Sequence, residues 1–178
     1  NCGKEILHFH PEFKIFNKNL LLYAEKEKKH PAPLIIHRGE MVYVKAPSGM
    51  GKTPLAKVIM GLYQAQAMNF SLLGKKFTQD TSPTQWRKYV WGITAGMVFQ
   101  HADEALNLRA TVEEIFGGLD KKSNDSRRDI VKHCEELFGP MKDTFLKKKV
   151  TYLSGGQKQR LNLLRTFYLK TDLVILDE

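Results

Sequence analysis

The segment Ala46-Pro47-Ser48-Gly49-Met50-Gly51-Lys52-Thr53 sets a small-residue turn directly ahead of Leu55, Val58, Ile59 and Leu62, which recur at helical spacing. A tight glycine turn of this kind can point backbone N–H groups at the β- and γ-phosphates of a nucleotide. Lys52 can neutralise their charge, and Thr53 can offer a hydroxyl to Mg²⁺. The helix that follows would aim its positive end at the same anion. Such loops usually open with Gly, and here that place is Ala46. Ala is tolerated there if φ is negative, which leaves the strained positions to Gly49 and Gly51. Farther along, Leu153-Ser154-Gly155-Gly156-Gln157-Lys158-Gln159-Arg160 places a serine and two glycines at a helix start, where no bulky side chain bars an anion from the N–H groups. The chain then runs Leu173-Val174-Ile175-Leu176 into Asp177 and Glu178. At a strand end, one carboxylate (Asp177) could hold Mg²⁺ and the other (Glu178) could polarise an attacking water. Taken singly, each stretch has a plainer reading: a structural glycine turn, a flexible Ser-Gly-Gly turn, a solvated pair of acids.

The elements around these residues must position them. Phe13–Phe16 and Leu20–Tyr23 read as short strands, separated by a charged turn over Glu25–Lys29 and two prolines from Leu34–Ile36. Met41–Lys45 reads as a buried strand feeding the phosphate loop, so the order strand, glycine turn, helix is expected. Asn69–Leu73 is a further strand, followed by a polar turn and a helical stretch around Trp86. Met97–Phe99 is a second buried strand, ending at Gln100. Thr111 and Glu114 are spaced as a capping box. Ile130, Val131, Cys134, Leu137 and Phe138 line one helical face, closed by Gly139-Pro140.

The 178 residues are 42% hydrophobic and 26% charged, enough for a core in one domain or two small ones. The formal charge is +9, with the surplus in the first hundred residues, which hold 14 basic and 6 acidic side chains. An anionic partner is implied: phosphate, an acidic membrane surface or nucleic acid. Two cysteines give neither a disulfide framework nor metal-ligand spacing, and Cys134 reads as a small buried hydrophobe. No apolar run approaches the ~18 residues that span a bilayer. The chain lacks an initial Met and stops straight after an apolar strand, which leads us to expect a fragment.

Residues 153–160 resemble, almost residue for residue, the signature sequence of ATP-binding cassette (ABC) ATPases, and Leu173–Glu178 resembles their Walker B strand. With the phosphate loop, or Walker A, the three stand in the family's order. The resemblance implies an α/β fold: a P-loop NTPase core of ABC type with an N-terminal antiparallel β subdomain and an inserted α-helical subdomain. It divides the chain into an ATP-binding core over 1–100, a helical subdomain over 101–153, and a return to the core over 154–178. Gln100 matches the Q-loop glutamine, which contacts Mg²⁺ or water. Tyr23 sits where the family stacks an aromatic on adenine, with Phe16 as the competitor. Ser48, Gly49, Met50, Gly51, Lys52 and Thr53 would bind ATP, and Ser154, Gly155, Gly156 and Gln157 would grip the γ-phosphate of ATP held by a partner subunit. Thr53, Gln100 and Asp177 would face Mg²⁺, with Glu178, Gln100 and Lys52 in catalytic roles. Ala105-Leu106-Asn107 resembles the stretch after the Q-loop in peptide and nickel importers, although His101-Ala102 departs from it and leaves the substrate class open.

The implied function is the ATP-hydrolysing subunit of a transporter: a nucleotide-sandwich dimer, homo- or heterodimeric, peripheral on the cytoplasmic face of a membrane beside transmembrane permease subunits. No nucleic-acid partner is expected. The alternatives are a soluble ABC ATPase acting on ribosomes or DNA and a fragment that binds nucleotide but hydrolyses it poorly. A P-loop kinase does not accommodate the 153–160 signature.

Overall fold

The computed structural model describes residues 3–47, 49–117, 127–140 and 143–177. The chain forms two compact units, 1–95 and 96–178. The first unit holds β1 (Glu5–Phe9), β2 (Glu12–Ile15), β3 (Lys18–Leu21), β4 (Tyr23–Ala24), β5 (Glu27–Pro31), β6 (Leu34–His37), α1 (Lys52–Ile59), β7 (Asn69–Leu72), β8 (Lys75–Thr78) and α2 (Pro83–Tyr89). Four strands make one antiparallel sheet in the order β6-β1-β7-β8, while β2-β3 and β4-β5 are separate hairpins.

Pleat alternation explains the sheet's inner face, because side chains two apart share a side. Leu7 and Phe9 are fully buried on the central strand β1, as are Phe70, Leu72 and Phe77 on β7 and β8. Phe13, Phe9, Phe70, Phe77 and Trp86 form a continuous aromatic series with centroid separations of 5.4, 5.4, 5.1 and 4.8 Å. Offset and edge contacts of this kind each add about 0.5–1.5 kcal/mol beyond area burial. Two of the three tight hairpin turns use two residues with positive φ: Phe16 (51°) with Asn17 (59°), and Leu73 (50°) with Gly74 (79°). That geometry matches the right-handed twist of the flanking strands. Asn17 is also pinned, exchanging hydrogen bonds of 2.8 and 2.7 Å with the Gln66 side chain.

Three sequence expectations change here. Met41–Lys45 forms no strand, and Met41 and Tyr43 stand 98% and 78% exposed. A β-branched run becomes a strand only where neighbouring backbone offers ladder partners, and none of the sheets includes this segment. The charged stretch Glu25–Lys29 is a turn only at its start, for Glu27–Pro31 pairs with β4 as the second arm of a hairpin. The polar turn after β7 is two residues long, and Lys75–Thr78 is a strand whose inward side chain is Phe77.

The second unit contains β9 (Ala95–Val98), which begins at the boundary, then α3 (Val112–Ile115), α4 (Arg127–Phe138), α5 (Asp143–Leu146), α6 (Gly155–Tyr168) and β10 (Leu173–Leu176), with β9 and β10 hydrogen-bonded neighbours. Val112, Phe116, Cys134, Val150, Leu161, Leu164 and Tyr168 build its core. Burial pushes the Cys134 thiol up to about 12, so it behaves as the small hydrophobe expected. Leu137 departs from the expected helical face, being 40% exposed. Thr111 and Glu114 do form the capping box at the start of α3, with bonds of 2.8 and 3.2 Å. Among the described residues no helix is long and apolar enough to cross a membrane.

Gly61 ends the turn after α1 with φ 68°, and a Cβ there would overlap the Trp86 indole. Gly61→Ala should therefore combine left-handed strain with overpacking and destabilise the chain by about 2–4 kcal/mol. Urea unfolding reads this as a lowered midpoint at unchanged slope.

Candidate nucleotide site

The phosphate-loop residues gather at the N-terminus of α1. Gly49 (φ 79°) and Gly51 (φ 106°) both adopt left-handed conformations, as expected of the two strained positions. Met50 donates its N–H to the Pro47 carbonyl at 3.1 Å, closing the turn. Gly51 is the N-cap residue and supplies no side-chain cap, while its carbonyl accepts the first helical bond from the Leu55 N–H at 2.9 Å. The first N–H groups of a helix have no intrahelical partner, and the N-cap residue of α1 has no side chain to bond them. Lys52 is exposed and Thr53 half-buried in the first turn. Among the described residues, nothing beyond its chain neighbours lies within 4 Å of where a Cβ on Gly49 would stand. On the other side, a Cβ on Gly51 would meet Leu20 of β3 at 3.1 Å. Leu20 thus backs the loop, a contact that no sequence pattern announces because it joins residues 31 positions apart. Ser48 lies outside the described residues.

Tyr23 is 46% exposed on β4, opposite Pro31. Phe16 is 65% exposed and packs edge-on against Tyr63 at 5.3 Å. A cleft of about 590 Å³ opens between the β2-β3 hairpin and β7, lined by Phe13, Leu20, Met68, His10 and Gln79 among others, and none of the residues selected from sequence lines it.

In the second unit, Ser154 caps α6. Its hydroxyl accepts from the Gln157 N–H at 3.2 Å, and the Gln157 side chain accepts from the Ser154 N–H at 2.9 Å. Signature residues Ser154 and Gln157 are therefore bound to each other in a capping box, and Gly155 and Gly156 form the first helical turn with exposed surfaces. Gln100 is exposed just beyond β9. Two bonds tie these elements together. Gln159 on α6 donates to the Phe99 carbonyl at 2.9 Å, one residue before Gln100. The Asp177 N–H donates to the Val98 carbonyl at 2.9 Å. Asp177 is buried at the end of β10. Lys158 reaches Asp103 at 2.9 Å and fixes the loop that follows Gln100 to the same helix. Gln159 and Lys158 were legible only as letters of the signature, since their partners lie on another element. Glu178 lies outside the described residues.

A glycine phosphate loop opening a helix, an antiparallel sheet beside it, and an α/β unit carrying a capped Ser-Gly-Gly helix define a P-loop nucleotide-binding protein. A profile of the ABC transporter family matches residues 30–178, and the chain belongs to that family. It is 34% identical over 146 residues to the energy-coupling factor transporter ATP-binding protein EcfA1 of Mycoplasma capricolum subsp. capricolum, which covers 80% of this chain and 34% of that protein. It is 36% identical over 150 residues to the sulfate/thiosulfate import ATP-binding protein CysA of Pectobacterium atrosepticum, covering 82% of this chain and 42% of that protein. The chain thus spans less than half the length of these relatives. Among solved structures, a dimeric ATP-binding cassette in a post-hydrolysis state bound to ADP and Pi superposes with a TM-score of 0.62 at 18% identity, covering 97% of this chain and 87% of that one. The superposition establishes the α/β fold of the ABC ATPases.

Removing the Ser154 hydroxyl leaves the Gln157 N–H without its acceptor at the α6 N-terminus. Ser154→Ala should cost about 1 kcal/mol of stability, and Ser154→Gly a few tenths. Chemical denaturation of the two variants side by side checks the order.

Proposed function

We propose that this chain is the ATP-binding and ATP-hydrolysing cassette of a membrane transporter. It works as a nucleotide-sandwich dimer with a second ABC ATPase subunit, on the cytoplasmic face of the membrane beside permease subunits. The observation that carries the reading is the pair of left-handed glycines, Gly49 and Gly51, at the start of α1, with no side chain on the N-cap residue and the exposed Lys52 in the first turn. A triphosphate fits such an end: backbone donors face its oxygens, and the lysine supplies the neutralising charge. Transport is favoured over action on ribosomes or DNA because both relatives named above are transporter ATP-binding proteins.

In this reading Ser48 to Thr53 hold the phosphates and Tyr23 covers the base. Ser154 to Gln157 present the α6 N-terminus to the ATP of the partner subunit. Thr53, Gln100 and Asp177 are the residues that would hold Mg²⁺. Among the described residues no group of three His, Cys, Asp or Glu could hold a metal, and Mg²⁺ suits that donor set, since it is usually held by one or two protein oxygens together with substrate phosphates and water. When bound, the ion neutralises charge that develops on the transferred phosphoryl group. Lys52 steadies the same charge from its own side, Gln100 orients water at the strand end, and Glu178 accepts the proton of the attacking water. The bond from Gln159 to the Phe99 carbonyl couples Gln100 to the signature helix, so a shift of α6 on dimer closure would move the Q-loop with it.

Titration of the chain with Mg-ATP tests the reading. Lys52→Ala should weaken binding on the order of tenfold or more, the usual worth of a charge-assisted phosphate contact. Because Lys52 is exposed, circular dichroism should show the variant folded. Equal affinity in both proteins would overturn the phosphate-loop assignment.

A further inference from the structure

A second feature of the first unit is untouched by the nucleotide reading. The turn that follows α2 is compact: Trp91 donates its indole N–H to the Met60 carbonyl at 2.7 Å, Gly92 donates to the Ala95 carbonyl at 3.0 Å, and the Thr94 hydroxyl bonds the Tyr89 carbonyl. It holds three large apolar side chains at the surface, Tyr89, Trp91 and Ile93, with Ile93 52% exposed. Against this turn stand two lysines from different elements. The Lys75 ammonium of β8 lies 3.0 Å from the Tyr89 ring centroid, and that of Lys88 lies 5.4 Å from the same centroid. Arg87 is exposed on the preceding turn of α2. Two cations over one ring repel each other, and among the described residues neither is paired with a carboxylate. A hydrogen bond from Lys75, reinforced by the charges of Lys75 and Lys88, also holds the Tyr89 hydroxyl below the usual phenol range. Residues 69–95 contain five charged side chains, and Asp80 is the single acid.

We propose that the Tyr89–Ile93 turn, with Lys75, Arg87 and Lys88, is a contact surface for an anionic phospholipid bilayer. Charge complementarity selects the occupant: ammonium groups without a carboxylate partner meet lipid phosphates, while Tyr and Trp suit the depth at which an apolar ring and a polar tip are both satisfied. Ile93 supplies the part that enters the acyl boundary. The surface also gives a specific task to part of the basic surplus in the first hundred residues, most of which the phosphate loop cannot use. A cassette with such a face would rest on the inner leaflet as well as on its permease.

Vesicle co-sedimentation with the 178-residue chain tests this. The chain should bind vesicles of equal parts phosphatidylcholine and phosphatidylglycerol, and should leave pure phosphatidylcholine vesicles largely unbound. The Lys75→Gln/Lys88→Gln double variant should lose about thirtyfold in affinity, in line with the effect of removing two near-surface lysines. Lys26→Gln/Lys28→Gln, which removes the same charge from the β4-β5 hairpin, should change binding less than about twofold. Ile93→Ser should weaken the portion of binding that survives high salt. Equal losses in the two lysine pairs, or equal binding to both vesicle types, would overturn the proposal. If the chain bound a poly-glutamate peptide through Lys75 and Lys88 and ignored both vesicles, an acidic protein segment would replace the lipid. Mg-ATP titration of the same variants should be unchanged, which separates failure here from failure of the nucleotide assignment.

Discussion

The helix N-terminus at Gly51 is the constraint on which the nucleotide site depends. Of the four α-helices whose N-caps are described, α2, α3 and α6 each close theirs with a reciprocal capping box, through Ser82 and Gln85, Thr111 and Glu114, and Ser154 and Gln157. α1 has none. A side-chain cap satisfies orphan donors and is worth about 1 kcal/mol. Its absence at α1 leaves the N-cap position without a side chain where the proposed triphosphate would sit. The helix is held by other means: Leu55, Val58 and Ile59 are buried along it, and Leu20 backs the loop from the β2-β3 hairpin.

The same device appears at α6 in a different condition. Ser154 and Gln157 are occupied with each other, so an incoming phosphate would compete with an existing capping box at a helix end whose Gly155 and Gly156 surfaces are open. In the proposed dimer, this end of α6 would be ordered before the second subunit's anion arrives. The bonds from Gln159 to Phe99 and from Lys158 to Asp103 then make α6, the end of β9 and the following loop one mechanical piece.

What the sequence disclosed follows from how local each signal is. Gly49 and Gly51 declare themselves because left-handed backbone all but demands glycine. Thr111 with Glu114 declares itself because a capping box is completed within four residues. β1 and β8 were not legible. Glu5–Phe9 carries His8 between apolar residues and is defined by its neighbours β6 and β7, while Lys75–Thr78 buries only Phe77. Met41–Val44 erred in the opposite direction: its composition is that of a buried strand, but composition cannot supply a partner ladder. The Leu20 support and the Gln159 tie were invisible for the same reason, since both depend on distant segments meeting.

The bare Met41–Val44 segment has a consequence for the chain as a colloid. Four apolar, β-prone residues without ladder partners are a nucleus for sticky, edge-to-edge association between copies. Glu40 and Lys45 flank the run, Arg38 stands two residues before Glu40, and the chain as a whole carries +9. Like-charged molecules repel before such short-range contacts can form. The basic surplus, wherever else it is used, therefore also sets the ionic strength that the protein can tolerate: salt that screens the repulsion should bring the exposed segment within reach of its neighbours.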